Sequence, residues 1–196
     1  MRRTKEEALH TRRELIHAAR SIFLDKGYSG ATLSEIVRLA GLTRGAAYWH
    51  FQNKEELYQA VIEDALDRML TQKNAYAQDP VLSPQEKLLH VLALPLTLPQ
   101  DYALVNGVYL LPSDLALRPR LLERIRQRKE NLKAFFLAFF TQQADTTTLH
   151  GTPQTLASMT FLLFEGLYFS QSQDGCLTQE DLRPFLKAMG CFPEAC

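Results

Sequence analysis

Apolar residues recur every three or four positions along almost the whole 196-residue chain, and no alternating run closed by a hairpin turn interrupts them. Helical periodicity without strand periodicity predicts an all-α fold of about nine helices. The first covers about residues 5–26 and buries Leu15, Ala19, Ile22 and Phe23, after which Gly27 and Gly30 let the chain stop and turn. Thr32-Leu33-Ser34-Glu35 reads as a capping box opening a short helix through residue 40, with Leu33, Ile36, Val37 and Ala40 inward. Gly41 turns the chain, Thr43 caps, and residues 44–50 form another short helix. Asn53 with Glu56 caps a long fourth helix, apolar at 57, 58, 61, 62, 65, 66, 69 and 70 and ending near Asp79-Pro80.

The punctuation then repeats. Ser83-Pro84 with Glu86 opens a fifth helix that Pro95 kinks and Pro99 ends, and residues 101–111 form a sixth. Pro119 lies in the first turn of a seventh helix reaching Thr141, and a polar loop follows over 144–151. An eighth runs from Thr152-Pro153 to about Ser172, and Thr178 caps a ninth that Gly190 closes. The expected division is an N-terminal domain over 1–54 and a larger C-terminal domain over 55–196.

Two helices of about two turns, joined by a tight glycine-containing link, make a helix-turn-helix, whose second helix is narrow enough for the major groove of DNA. That helix begins Thr43-Arg44-Gly45. An arginine at its N-terminal end can reach guanine O6 and N7, and Gly45 lets the backbone approach the bases. Tyr48 and His50, further along, suit phosphates, as do Lys54 at the start of the fourth helix and Thr32 and Ser34 at the start of the second. Tyr48 and Trp49 are adjacent, so one core cannot take both, and an exposed aromatic beside Arg44 and His50 points to a ligand; Phe51 reads as core.

Charge supports this. The 22 Lys and Arg balance the 22 Asp and Glu overall, but residues 1–54 hold 10 basic against 5 acidic side chains, leaving 12 against 17 for the remainder. A net +5 at one end suffices to attract a polyanion despite the neutral total. The longest apolar run, 134–140, is too short to cross a bilayer, which needs about 20 residues. The polar N-terminus carries no secretory signal, and the expected location is the cytoplasm. Cys176, Cys191 and Cys196 lack the spacing of a disulfide framework or a zinc site, which leaves a redox pair at Cys191 and Cys196 as a minor reading beside ordinary reduced thiols. No metal or cofactor is expected. His90 and His150 are isolated and no glycine-rich phosphate loop is present, so no catalytic residue is assigned and an enzyme is not expected.

The stretch "TRRELIHAARSIFLDKGYSGATLSEIVRLAGLTRGAAYWHFQNKEEL" resembles the DNA-binding domain of the TetR family of bacterial transcriptional repressors, and "GLTRGAAYWHF" within it is most similar to the AcrR-like repressors of multidrug efflux pumps. The resemblance implies an all-helical homodimer of nine or so helices. It implies an operator surface of Thr43, Arg44, Gly45, Tyr48, Trp49, His50 and Lys54, with Arg2, Arg3 and Lys5 as an arm. Ala47 departs from the bulkier aliphatic usual in the family.

The C-terminal region is aromatic, with Phe135, Phe136, Phe139 and Phe140 on the seventh helix and Phe161, Phe164, Tyr168 and Phe169 on the eighth. Most of these belong to a core and a dimer face. Glu165 is out of place in "FLLFEGLYF", because a carboxylate there needs a partner. Two partners stand open: an arginine from the basic stretch 118–133, or a cationic lipophilic ligand held by charge and aromatic faces. The AcrR-like resemblance implies an effector pocket using Glu165 and Phe161, and Leu66, Asn106, Phe135 and Phe136 complete the candidate set. The seven Lys and Arg of 118–133 are read as a solvated helix face rather than a second nucleic-acid surface.

The expectation is therefore a ligand-responsive repressor that binds a pseudo-palindromic operator as a dimer through the helices at 152–172 and 178–189. A small apolar or cationic lipophilic effector releases it, and it controls a multidrug efflux system. The alternative is an effector-independent DNA-binding protein.

Overall fold

A computed structural model describes residues 5–144, 149–170 and 177–191. Arg2, Arg3, Cys176 and Cys196 lie outside the described residues. The fold is all-α, with ten α-helices among the described residues: α1 (Lys5–Gly30), α2 (Leu33–Leu39), α3 (Arg44–His50), α4 (Lys54–Gln78), α5 (Pro84–Leu92), α6 (Leu94–Thr97), α7 (Pro99–Gly107), α8 (Leu117–Gln143), α9 (Pro153–Ser170) and α10 (Arg183–Ala188). Two compact units result, one formed by Met1–Asp67 with Ala103–Glu123, the other by Arg68–Tyr102 with Arg124–Cys196.

In the first unit, local signals set the helix ends. Gly27 takes φ 65° and kinks α1, while Gly41 takes φ 66° in the turn after α2, a region that costs an L side chain strain. Thr32 and Glu35 close a reciprocal capping box, and Thr43 Oγ1 accepts from the Ala46 amide at 3.2 Å. The apolar stripes of α1 to α4 bury Leu15, Ala19, Phe23, Ile36, Ala47, Phe51, Leu57 and Val61. Leu33 and Ala40 are only half-buried, as is Ile22, because the inward face of α1 centres on Leu15, Ala19 and Phe23. Tyr58 seats its ring edge-on against Phe23 and Tyr28, at centroid distances of 4.9 and 5.0 Å.

The second unit is built on α5, α6, α9, α10 and the adjoining parts of α4, α7 and α8. Pro95 does more than kink the fifth helix: the chain breaks at Ala93 and α6 restarts as a single turn, which accounts for ten helices rather than nine. Pro99 opens α7 instead of merely ending its predecessor. Leu88, Leu89, Leu92, Leu94, Tyr102, Phe136 and Phe140 are fully buried. Asp101, 3% exposed, accepts from Arg68 Nη2 at 2.6 Å and from Nε at 3.0 Å, so the buried carboxylate is paired. The helix expected from Thr178 starts later. Residues 180–182 form a 3-10 turn, and α10 begins at Arg183 with Pro184 in its first turn.

Candidate nucleic-acid interface

Between α2 and α3 the chain makes a sharp turn at Gly41, and α3 presents its outer face to solvent. Ala47 and Phe51 face inward at 0% and 4% exposure, and Arg12 of α1 stands over the Phe51 ring at 5.1 Å. Ala47, the small departure noted in the sequence, is thus the buried contact point of α3. Opposite it, Tyr48 is 56% and Trp49 71% exposed. Both adjacent aromatics therefore lie on the outer face of α3. Trp49 meets the half-buried His50 edge-on, with ring centroids 4.6 Å apart.

Arg44 is exposed at the start of α3, and its Nη2 donates to Ser34 Oγ of α2 at 3.1 Å. Two candidate DNA contacts are thereby joined, and Ser34 sets the direction in which the guanidinium leaves the helix. Gly45 is exposed with helical dihedrals, and a Cβ built there would meet nothing within 4 Å. Neither the backbone angle nor the packing of the chain calls for glycine at 45. Thr32 and Thr43 are exposed at the two helix starts, where both hydroxyls serve as caps. Lys5 is exposed at the start of α1.

Lys54 has a different neighbourhood from that expected of a phosphate contact. Its Nζ donates to the carbonyls of Tyr28 at 2.9 Å and Ala31 at 3.1 Å and lies 4.2 Å from the centre of the Tyr28 ring. The ammonium closes carbonyls freed where α1 ends. Tyr28 in turn donates its hydroxyl to Glu55, and burial followed by this bond pushes the phenol well above its ordinary range. Lys26 pairs with Glu35 at 2.7 Å, and that contact, ahead of the Thr32 hydroxyl bond, holds the Glu35 carboxyl down at about 2. These ties across 9 to 27 residues of sequence leave no local pattern, so residue spacing alone does not reveal them.

The ligand candidates are distributed between the two units. Leu66, buried, and Asn106, half-buried, belong to the first; Phe135, Phe136, Phe161 and Glu165 belong to the second. Phe136 is fully buried between Phe135 and Phe164. Glu165 binds Lys129, a lysine of the basic stretch rather than an arginine. Most of that stretch faces solvent, with Arg120, Arg124, Arg126 and Lys133 exposed, whereas Arg128 and Lys129 turn partly inward. A groove of about 480 Å³ lies between α8 and α9, lined by Lys133, Leu137, Gln154, Ala157, Ser158, Phe161 and Leu162. Lys129, the partner of Glu165, and Lys133, at the groove, stand one turn apart, a spacing that reads equally well as a solvated face. Cys191 is 2% exposed, and burial pushes its thiol up to about 11, far from a reactive thiolate. Among the described residues no helix is long and apolar enough to cross a membrane, and no cluster of three metal-ligating side chains occurs.

Comparison with known proteins places these features. Residues 15–61 match the family model of the bacterial regulatory proteins, tetR family. The HTH-type transcriptional regulator TtgR of Pseudomonas putida is 54% identical over 63 residues, 32% of this chain and 30% of TtgR. The "Probable acrEF/envCD operon repressor" of Escherichia coli K12 is 39% identical over 112 residues, 55% of this chain and 51% of that protein. The chain thus matches between about a third and a half of the length of these relatives. The crystal structure of NalD, the secondary repressor of the MexAB-OprM multidrug efflux pump in Pseudomonas aeruginosa, superposes with a TM-score of 0.63 at 25% identity, covering 94% of this chain and 96% of NalD. Residues 15–61 thus carry the helix-turn-helix region of the tetR family of bacterial regulatory proteins, and the chain is similar there to the AcrR-like regulators.

Proposed function

We propose that the protein is a ligand-responsive transcriptional repressor that binds a pseudo-palindromic operator as a dimer and controls a multidrug efflux system. The observation that carries the reading is the outer face of α3, where Tyr48 and Trp49 stand exposed beside an arginine held by Ser34. Arg44 reads base edges, Gly45 admits the duplex, and Thr32, Thr43, Tyr48, Trp49, His50 and Lys5 flank the phosphates. Lys54 contributes through the backbone it holds together. A single short helix contacts too few bases to be specific, which calls for two copies. Met159 and Phe169, large apolar side chains exposed on α9, support a dimer face over the helices at 152–172 and 178–189. Similarity to NalD, the secondary repressor of a multidrug efflux pump, supports efflux control, and a DNA-binding role supports the cytoplasm.

Release by an effector needs only a differential affinity for the non-binding form. About 3 kcal/mol lowers operator affinity roughly a hundredfold. The helix α4 is the natural lever, since it is continuous from Lys54 to Gln78. One observation favours the second reading, an effector-independent DNA-binding protein: Glu165 already has a partner in Lys129. Footprinting on promoter DNA tests the main reading. The protein should protect a pseudo-palindromic site, and Arg44→Ala should lose about 1–3 kcal/mol of preference for that site over scrambled DNA. Equal affinity of the parent for both DNAs would rule the repressor out.

A further inference from the structure

Several aromatic rings at α8 and α9 lie beside cations of the chain itself. Lys73 Nζ lies 5.3 Å from the ring centre of Phe135, Lys129 lies 5.5 and 5.6 Å from Tyr168 and Phe169, and Lys133 lies 4.8 Å from Phe161. Glu165, the one carboxylate of α9, binds Lys129. These rings and this carboxylate therefore already hold ammonium groups of the chain, and a second cation at any of them meets repulsion.

The groove between α8 and α9 has the opposite preference. Its lining combines the ammonium of Lys133 and the amide of Gln154 with an apolar wall of Leu137, Ala157, Phe161 and Leu162, and among the described residues no carboxylate lines it. The Ser158 hydroxyl is committed to the Gln154 carbonyl at 2.8 Å. A volume of about 480 Å³ is in the range of small-molecule sites. Lys133 also pairs with Glu130, one turn earlier, at 3.1 Å, but both side chains are about half exposed. Such surface pairs are weak enough for a carboxylate in the groove to displace.

We propose that this groove binds an amphipathic carboxylate, with its head on Lys133 and Gln154 and its apolar tail along Leu137, Ala157, Phe161 and Leu162. The inference names the effector class of the repressor reading and rests on that reading for its regulatory meaning, though not for the binding itself.

Calorimetric titration of the full chain with decanoate, decanol and decyltrimethylammonium, each below its micelle concentration, tests the assignment. Decanoate should bind saturably, and the ammonium amphiphile should bind more weakly than either of the others. Lys133→Gln, at an exposed position, should weaken decanoate about tenfold and leave decanol unchanged. Leu162→Ser should weaken both. Equal decanoate binding by Lys133→Gln, or tighter binding of the ammonium amphiphile, overturns the proposal. So does decanoate binding only to a monomeric variant, which would give the groove to a second copy of the chain. Promoter binding by the ligand-free chain, measured in parallel, separates the outcomes: its absence contradicts the repressor reading alone, and absent decanoate binding contradicts this inference alone.

Discussion

The Lys54 ammonium donates to the Tyr28 carbonyl at 2.9 Å and lies over the ring of the same tyrosine. A residue at the edge of a DNA-binding surface is thereby built into the joint between α1 and α4. Replacing it with alanine removes a charged donor from two carbonyls. Lys54→Ala should destabilise the protein by about 1–2 kcal/mol, read as a lower denaturant midpoint without DNA. An unchanged midpoint with weaker DNA binding would return Lys54 to the role of a plain phosphate contact.

Gly45 separates folding from recognition. A Cβ there meets open space and the backbone is already helical, so Gly45→Ala should raise stability by up to about 1 kcal/mol, or a few degrees in Tm. On the proposed reading, the same methyl stands where the duplex approaches. Operator affinity should fall while the melting temperature rises, a pairing that binding and calorimetry on one sample can detect.

Glu35 gives the domain a dependence on pH. Its carboxyl is held at about 2 in the folded chain against an ordinary 4.5. A depressed folded value means that the contribution is fully present above 4.5 and is lost as pH falls toward 2. Compared with Glu35→Gln, the parent should be the more stable at neutral pH, and the two should converge through that acidic window in thermal melts. A constant difference down to the acid limit would show that the Lys26–Glu35–Thr32 cluster contributes through shape instead of charge.

The sequence was most legible where structure is local. The capping box at Thr32 and Glu35, the Thr43 cap and the left-handed Gly41 each depend on residues within a turn, and each could be read directly. Legibility failed where partners are distant or where a proline had two outcomes. Glu165 was recognisable as a carboxylate needing a partner, yet Lys129 lies 36 residues away among several basic side chains, and only packing selects it. Pro95 could have bent a helix or divided it; the chain divided at Ala93. Nothing in the pattern distinguished Tyr48 from Trp49, and the outer face of α3 exposes both.

Trp49 is the chain's one tryptophan and is 71% exposed on the outer face of α3, so its fluorescence reports directly on whether that face meets DNA. Titration with promoter DNA across a range of salt concentrations should change the emission saturably, with affinity falling steeply as salt rises because bound phosphates release counterions. Emission that ignores promoter DNA at low salt, while the protein remains folded, would contradict the assignment of α3 as the reading helix.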